Sequence, residues 1–172
     1  IAVPGSLRTG PVGNQAVITP PVAAAAAAAM NIPQSHPRLW YSAQSGTPGA
    51  MRLTRARAWF SAGNPVPITS TSVSVSAHYR DRALRSLINQ HADPADCSAA
   101  VGWLKGFTMN VGGTASDHAR WHGEDAILVY DWCYHAFSAT DRADLTSRWN
   151  GYISTLNAKS WGGPHMAANN YF

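Results

Sequence analysis

The sequence predicts an all-α fold, an incomplete (α/α) toroid built from antiparallel helical hairpins. Three observations carry that expectation. Helix-start signals recur along residues 93–141. The segment ending near Phe137 carries apolar residues on nearly every face, as an inner helix does. The segment that follows carries them on one face only, as an outer helix does. A short connection between two such helices makes an antiparallel hairpin. Hairpins of this kind stacked in a ring form a toroid, and those visible here are too few to close one.

Residues 1–35 hold five prolines (Pro4, Pro11, Pro20, Pro21, Pro33) and an alanine run, which reads as a leader or extended arm. Patterning begins at His36-Pro37-Arg38-Leu39-Trp40, so the helical domain is expected over 36–172. Residues 51–60 read as a short helix with Leu53, Ala56 and Phe60 on one side. In 71–76 Ser alternates with Val, a strand-like pattern. Residues 77–91 read as a helix with Ala83, Leu84, Leu87, Ile88 and His91 in one stripe. Asp93-Pro94 supplies an N-cap and a first-turn proline. The helix after it carries Cys97, Val101 and Leu104, and Gly102 and Gly106 weaken it. Gly112-Gly113 marks a break.

Thr114 and Asp117 form an Asp variant of the capping box. The helix it opens is expected to reach Phe137, with Trp121, Ala126, Leu128, Val129, Trp132, Cys133 and Ala136 around it. Ser138 and Asp141 repeat the cap. The next helix places Leu145, Trp149, Tyr152, Ile153 and Leu156 along one side. Trp161-Gly162-Gly163-Pro164 ends it.

Composition narrows the function. Apolar residues make up 45% of the 172, enough for a core, and charged residues only 13%. No apolar run of ~18 residues spans a membrane, so no membrane partner is expected. Like-charge blocks are absent, which argues against nucleic acid. Seven Trp and six Tyr bury area and also suit a sugar groove. Residues 36–91 hold seven Arg against Asp81 alone, and residues 92–172 hold five basic against eight acidic residues. The basic half fits an anionic partner or a solvated helix face. Cys97 and Cys133 match neither a zinc ribbon nor a CxxC motif. A disulfide in an exported protein and two buried thiols both remain open. The alanine run lacks the basic segment of an intact signal peptide. Beginning at Ile1 and ending at Tyr171-Phe172, the chain is expected to be a piece of a longer protein.

Three stretches resemble the α/α-toroid polysaccharide lyases, the heparinase II/III-like and alginate-lyase-like superfamily. His36-Pro37-Arg38-Leu39 looks like the motif that opens that family's helical domain. Gly123-Glu124-Asp125-Ala126-Ile127-Leu128-Val129-Tyr130-Asp131-Trp132, followed by Phe137-Ser138-Ala139-Thr140-Asp141-Arg142, looks like its central hairpin. Ala168-Asn169-Asn170-Tyr171 looks like the Asn-Asn segment that enters its catalytic groove. The resemblance covers residues 33–172 and implies a secreted or periplasmic enzyme that cleaves a uronic-acid polysaccharide by β-elimination. It also implies a remaining toroid and a β-sandwich elsewhere in the longer chain.

In such chemistry a donor on the substrate carboxylate stabilises the enolate-like transition state, a base takes the C5 proton and an acid protonates the leaving oxygen. By resemblance, Asn170 neutralises the carboxylate and Asn169 orients it or touches substrate; the plain alternative is that both shape a turn. Relatives often carry His after the pair. Tyr171 stands there instead, as a base or acid, or as a core aromatic. His165 follows Gly-Gly-Pro and faces either the groove or solvent. The family's principal catalytic Tyr is expected beyond Phe172, leaving this stretch inactive alone. Glu124, Asp131 and His135 share one helical stripe and are candidate sugar contacts. They are equally readable as an ion-pair network in which Arg120 reaches Glu124 and His135 reaches Asp131.

No cofactor or metal is expected. His118 and His122 have zinc-ligand spacing, but Arg120 lies between them and the usual acid is missing. No Gly-x-Ser-x-Gly is present. Two rivals stand beside the lyase. One is a toroid glycoside hydrolase drawing two carboxylates from Glu124, Asp125 and Asp131. The other is a non-catalytic carbohydrate-binding helical piece.

Overall fold

Thr47 opens the first helix. Its hydroxyl accepts from the Ala50 amide at 3.2 Å, and Pro48 pre-sets the backbone of the first turn. Helix α1 (Pro48–Ser61) therefore starts three residues before the expected 51. Leu53 is buried, and Ala56 and Phe60 are half-buried. The computed structural model to which α1 belongs describes residues 35–111 and 122–158, all within the unit Pro33–Phe172.

The Ser/Val alternation at 71–76 does not form a strand. A turn leads directly into α2 (Val75–Ile88), capped by Ser74, and both Val73 and Val75 are exposed. A period of two is stable only when a neighbouring strand accepts the hydrogen bonds, and the described residues contain none. Helix α2 buries Ala83, Leu87 and Ile88 as expected. It stops before His91, because Gln90 and His91 both take positive φ (54° and 61°) and turn the chain.

Helix α3 (Pro94–Gly106) begins as its sequence requires, with Asp93 accepting from the Ala95 amide at 2.9 Å. Cys97, Ala100 and Leu104 are buried, and α3 runs through Gly102 without a break. The expected cap at Thr114 and Asp117 and the residue Trp121 lie outside the described residues. From Glu124 the chain forms α4 (Glu124–Trp132).

Two expectations for α4 need correction. It ends at Trp132, not near Phe137, and a 3-10 turn (Tyr134–Ala136) follows. Cys133 is bonded to Cys97 on α3, with Cα atoms 5.5 Å apart, and that tether coincides with the change of direction. Nor is α4 buried all round. Leu128, Val129 and Trp132 are buried, but Ile127 is 42% exposed and Glu124 faces solvent. Two of the buried positions are acids, Asp125 and Asp131.

Helix α5 (Ala139–Asn157) is opened by a reciprocal box. Ser138 Oγ accepts from the Asp141 amide at 3.1 Å, and Asp141 accepts from the Ser138 amide at 3.2 Å. Leu145 enters the core and Trp149 packs edge-on against Tyr130 at 5.1 Å, while Ile153 is exposed. Helix α2 packs most extensively, against α3 and α4. The core is Leu87, Leu104, Val129 and Leu145 with the Cys97–Cys133 bridge among them. Among the described residues the fold is all-helical, and no helix is long and apolar enough to cross a membrane.

Three Arg side chains of the basic segment are matched internally. Arg80 bridges Asp81 (2.7 Å) and Asp125 (2.9 Å), and Arg82 (3.0 Å) and Arg85 (2.6 Å) converge on buried Asp96. Burial works to raise the Asp96 carboxyl, but the Arg85 and Arg82 hydrogen bonds prevail and hold it below its ordinary value.

Candidate functional site

Asp131 sits in the last turn of α4 with 3% exposure, and its two oxygens gather a segment more than ninety residues away. Oδ1 accepts from His36 Nδ1 at 2.5 Å. Oδ2 accepts from the Arg38 amide at 2.7 Å and the Leu39 amide at 2.9 Å. The Trp132 indole, one residue on, donates to the Leu39 carbonyl at 3.2 Å. A helix end thus clamps the His36-Pro37-Arg38-Leu39 stretch by both main-chain and side-chain bonds.

The clamp orients a half-exposed aromatic and cationic cluster. The His36 ring stacks on Tyr134 at 3.7 Å, and Arg142 lies over the Tyr134 ring at 4.6 Å from its centroid. Burial, chiefly, holds the His36 imidazole below its ordinary pKa. The Asp131 hydrogen bond pulls upward, and nearby Arg38 and Arg142 push down. At neutral pH His36 is therefore a neutral ring whose Nδ1–H is donated to the carboxylate. Arg38, with its side chain one-third exposed, stands at the edge of the cluster.

A second buried carboxylate, Asp125, accepts from Ser76 Oγ at 2.8 Å and from Arg80 at 2.9 Å. Ser76 Oγ also meets His122 Nδ1 at 2.7 Å. The order is His–Ser–Asp, with the serine proton given to the acid. A nucleophilic serine needs the imidazole between itself and the carboxylate, so this trio anchors α2 to α4 and does not activate Ser76.

The third constellation surrounds a pocket of about 420 Å³ lined by Ser86, His91, Cys97 and His135 among others. The His91 and His135 rings lie 4.0 Å apart, and Ser86 Oγ is 3.0 Å from His91 Nδ1. Burial first, then His135 and Arg57, lower the His91 pKa to about 4; burial lowers that of His135. Among the described residues, potential ligand atoms of His91, Cys97 and His135 lie within 4.8 Å of one another, Cys97 being held in its disulfide.

Of the expected network, the His135–Asp131 pair is not formed, and the Arg120–Glu124 pair rests on Arg120, outside the described residues. The i, i+4 pairing of His135 with Asp131 fails because α4 ends between them, and His135 turns to His91 instead. Asp131 takes His36, and Glu124 lies exposed at the start of α4. Asn169, Asn170, Tyr171, His165, His118 and Arg120 lie outside the described residues. Sequence reasoning missed the pocket. Its one signal was His91 at the end of the apolar stripe expected over 77–91, past the actual end of α2 at Ile88. No family model, curated protein or solved structure matches the chain.

Proposed function

We propose that this chain is the N-terminal part of the helical toroid of a polysaccharide lyase, acting by β-elimination on a uronic-acid polymer outside the cytoplasm. The observation that supports this best is the Asp131 clamp. Two of the three stretches that carry the resemblance, His36-Pro37-Arg38-Leu39 and the Tyr130-Asp131-Trp132 helix end, are bonded to one another as a unit. The cluster held by that clamp suits the substrate class, since Arg38 and Arg142 attract the carboxylate of a uronic acid. The Cys97–Cys133 bridge agrees with an oxidising compartment.

In this reading Asp131 positions and does not touch sugar. Asn170 donates its amide to the substrate carboxylate as charge accumulates there, and Asn169 orients that group. Tyr171 and His165 are the acid and base candidates within the chain. The hydrolase reading needs two carboxylates free to flank a bond. Asp125 and Asp131 are both bound up in buried bonds, which leaves Glu124 alone among the α4 acids.

The test is incubation of the longer protein containing this chain with a panel of polyuronates. Elimination gives an unsaturated, UV-absorbing end; reducing ends without that absorbance mean hydrolysis and overturn the proposal. Asn170→Ala should lower kcat by ~10²–10³ with a smaller change in KM. A folded Asn170→Ala enzyme with unchanged kcat refutes the role given to Asn170.

A further inference from the structure

We propose that reduction of the Cys97–Cys133 bridge converts the pocket beside it into a zinc site with ligands His91, Cys97, Cys133 and His135. The argument is independent of any carbohydrate chemistry. The four residues come from three places: the turn after α2, the first turn of α3, and the 3-10 segment after α4. Ligand atoms of His91, Cys97 and His135 already lie within 4.8 Å of one another. Cys133 is bonded to Cys97 but stands outside that group and behind the pocket wall, so its sulfur joins only when reduction frees the side chain to turn. Zinc with two sulfurs at ~2.3 Å and two nitrogens at ~2.0–2.1 Å keeps its ligand atoms ~3.3–3.8 Å apart in a tetrahedron. Turning the freed Cys133 side chain toward the two imidazoles closes the difference, and the pocket supplies room beside Cys97.

The surroundings favour a metal. Ser86 engages His91 Nδ1 and so fixes the ring, leaving Nε2 for the ion. The backbone at Gln90 and His91, both at positive φ, turns His91 back toward α3. In the oxidised protein the sulfurs have no thiolate to offer, so the site is closed to zinc.

The chemistry balances. A dithiol gives two electrons and two protons to the bridge and becomes a disulfide itself, while Cys97 and Cys133 become two thiols. Zinc then displaces both thiol protons to solvent, and two thiolates neutralise its charge. The redox state of the chain thereby selects between a covalent staple and a metal staple joining the same two helices.

The experiment titrates Zn2+ into oxidised protein and into protein reduced with dithiol and desalted without oxygen, with a chromophoric chelator as competitor and circular dichroism in parallel. One Zn2+ per reduced chain is expected, at least about 100-fold tighter than in the oxidised chain. Co2+ in its place should give tetrahedral d–d bands and a thiolate charge-transfer band only after reduction. Ser86→Ala should weaken Zn2+ binding ~10–100-fold. His135→Ala, at an exposed position that leaves the oxidised fold intact, should weaken it at least as much. Equal Zn2+ affinity in both redox states overturns the proposal, as does a Co2+ spectrum without the thiolate band. If the reduced chain loses helicity, recovery on adding Zn2+ supports the site. Wild-type affinity in reduced His135→Ala would show thiol capture by an unfolded chain and overturn it.

Discussion

Replacing Asp131 tests the clamp directly. The carboxylate is 3% exposed and accepts three hydrogen bonds, from His36 Nδ1 at 2.5 Å and from the Arg38 and Leu39 amides at 2.7 and 2.9 Å. Bonds to a charged acceptor contribute ~1.5–3 kcal/mol each, but three sharing one acceptor do not add, and water can reach the vacated site. Asp131→Ala strands neutral donors, each costing ~1–3 kcal/mol before water relieves it, so the expected loss is ~3–4 kcal/mol. Asp131→Asn behaves differently. Its carbonyl oxygen can keep both backbone amides, and its NH2 then faces His36 Nδ1. A neutral imidazole can move its proton to Nε2 and accept. The expected loss is therefore ~1–2 kcal/mol. Urea unfolding followed by helical circular dichroism measures both variants. Indole fluorescence should change at the same urea concentration, because Trp132 donates to Leu39 within the same unit. If Asp131→Ala falls within ~0.5 kcal/mol of wild type, the clamp does not hold the segment. Equal losses for Ala and Asn would refute the tautomer argument.

Acid should weaken the fold in two steps. A histidine whose folded pKa is depressed stabilises fully above its unfolded value of 6.5 and loses that contribution as pH falls toward its folded value, about 4 for His91. The loss is ~1–3 kcal/mol once solvent screening is allowed for, and His91→Phe should flatten the pH 6.5-to-4 limb of stability against pH. A further loss below pH 3.8 follows from protonating Asp81 and Asp96, both held below their ordinary value. Asp96→Ala, which strands Arg82 and Arg85, should cost ~3–5 kcal/mol in the same unfolding assay, and a loss under ~1 would mean water replaces the pair. Ser138→Ala should cost ~1 kcal/mol, and an unchanged melting curve would show that α5 does not depend on its cap.

The sequence by itself determined the helices that depend on neighbours within four residues. Asp93-Pro94 starts α3 and Ser138 with Asp141 starts α5 where they must, because a cap and the amide it satisfies are fixed by local geometry. The apolar spacing placed Ala83, Leu87, Leu128, Trp132 and Leu145 in the core for the same reason. Partner choice was not local. Asp131 had His135 at helical reach in the chain and took His36, ninety-five residues away, once α4 ended at Trp132. The strand-like Ser/Val run became a turn and a helix start, since no strand lies beside it among the described residues. Cys97 and Cys133 could equally have stayed thiols until packing put their Cα atoms 5.5 Å apart. The pocket between His91 and His135 belongs wholly to tertiary structure. Two rings forty-four positions apart meet because one chain turn and one broken helix end on the same side of α3, and no periodicity encodes that distance.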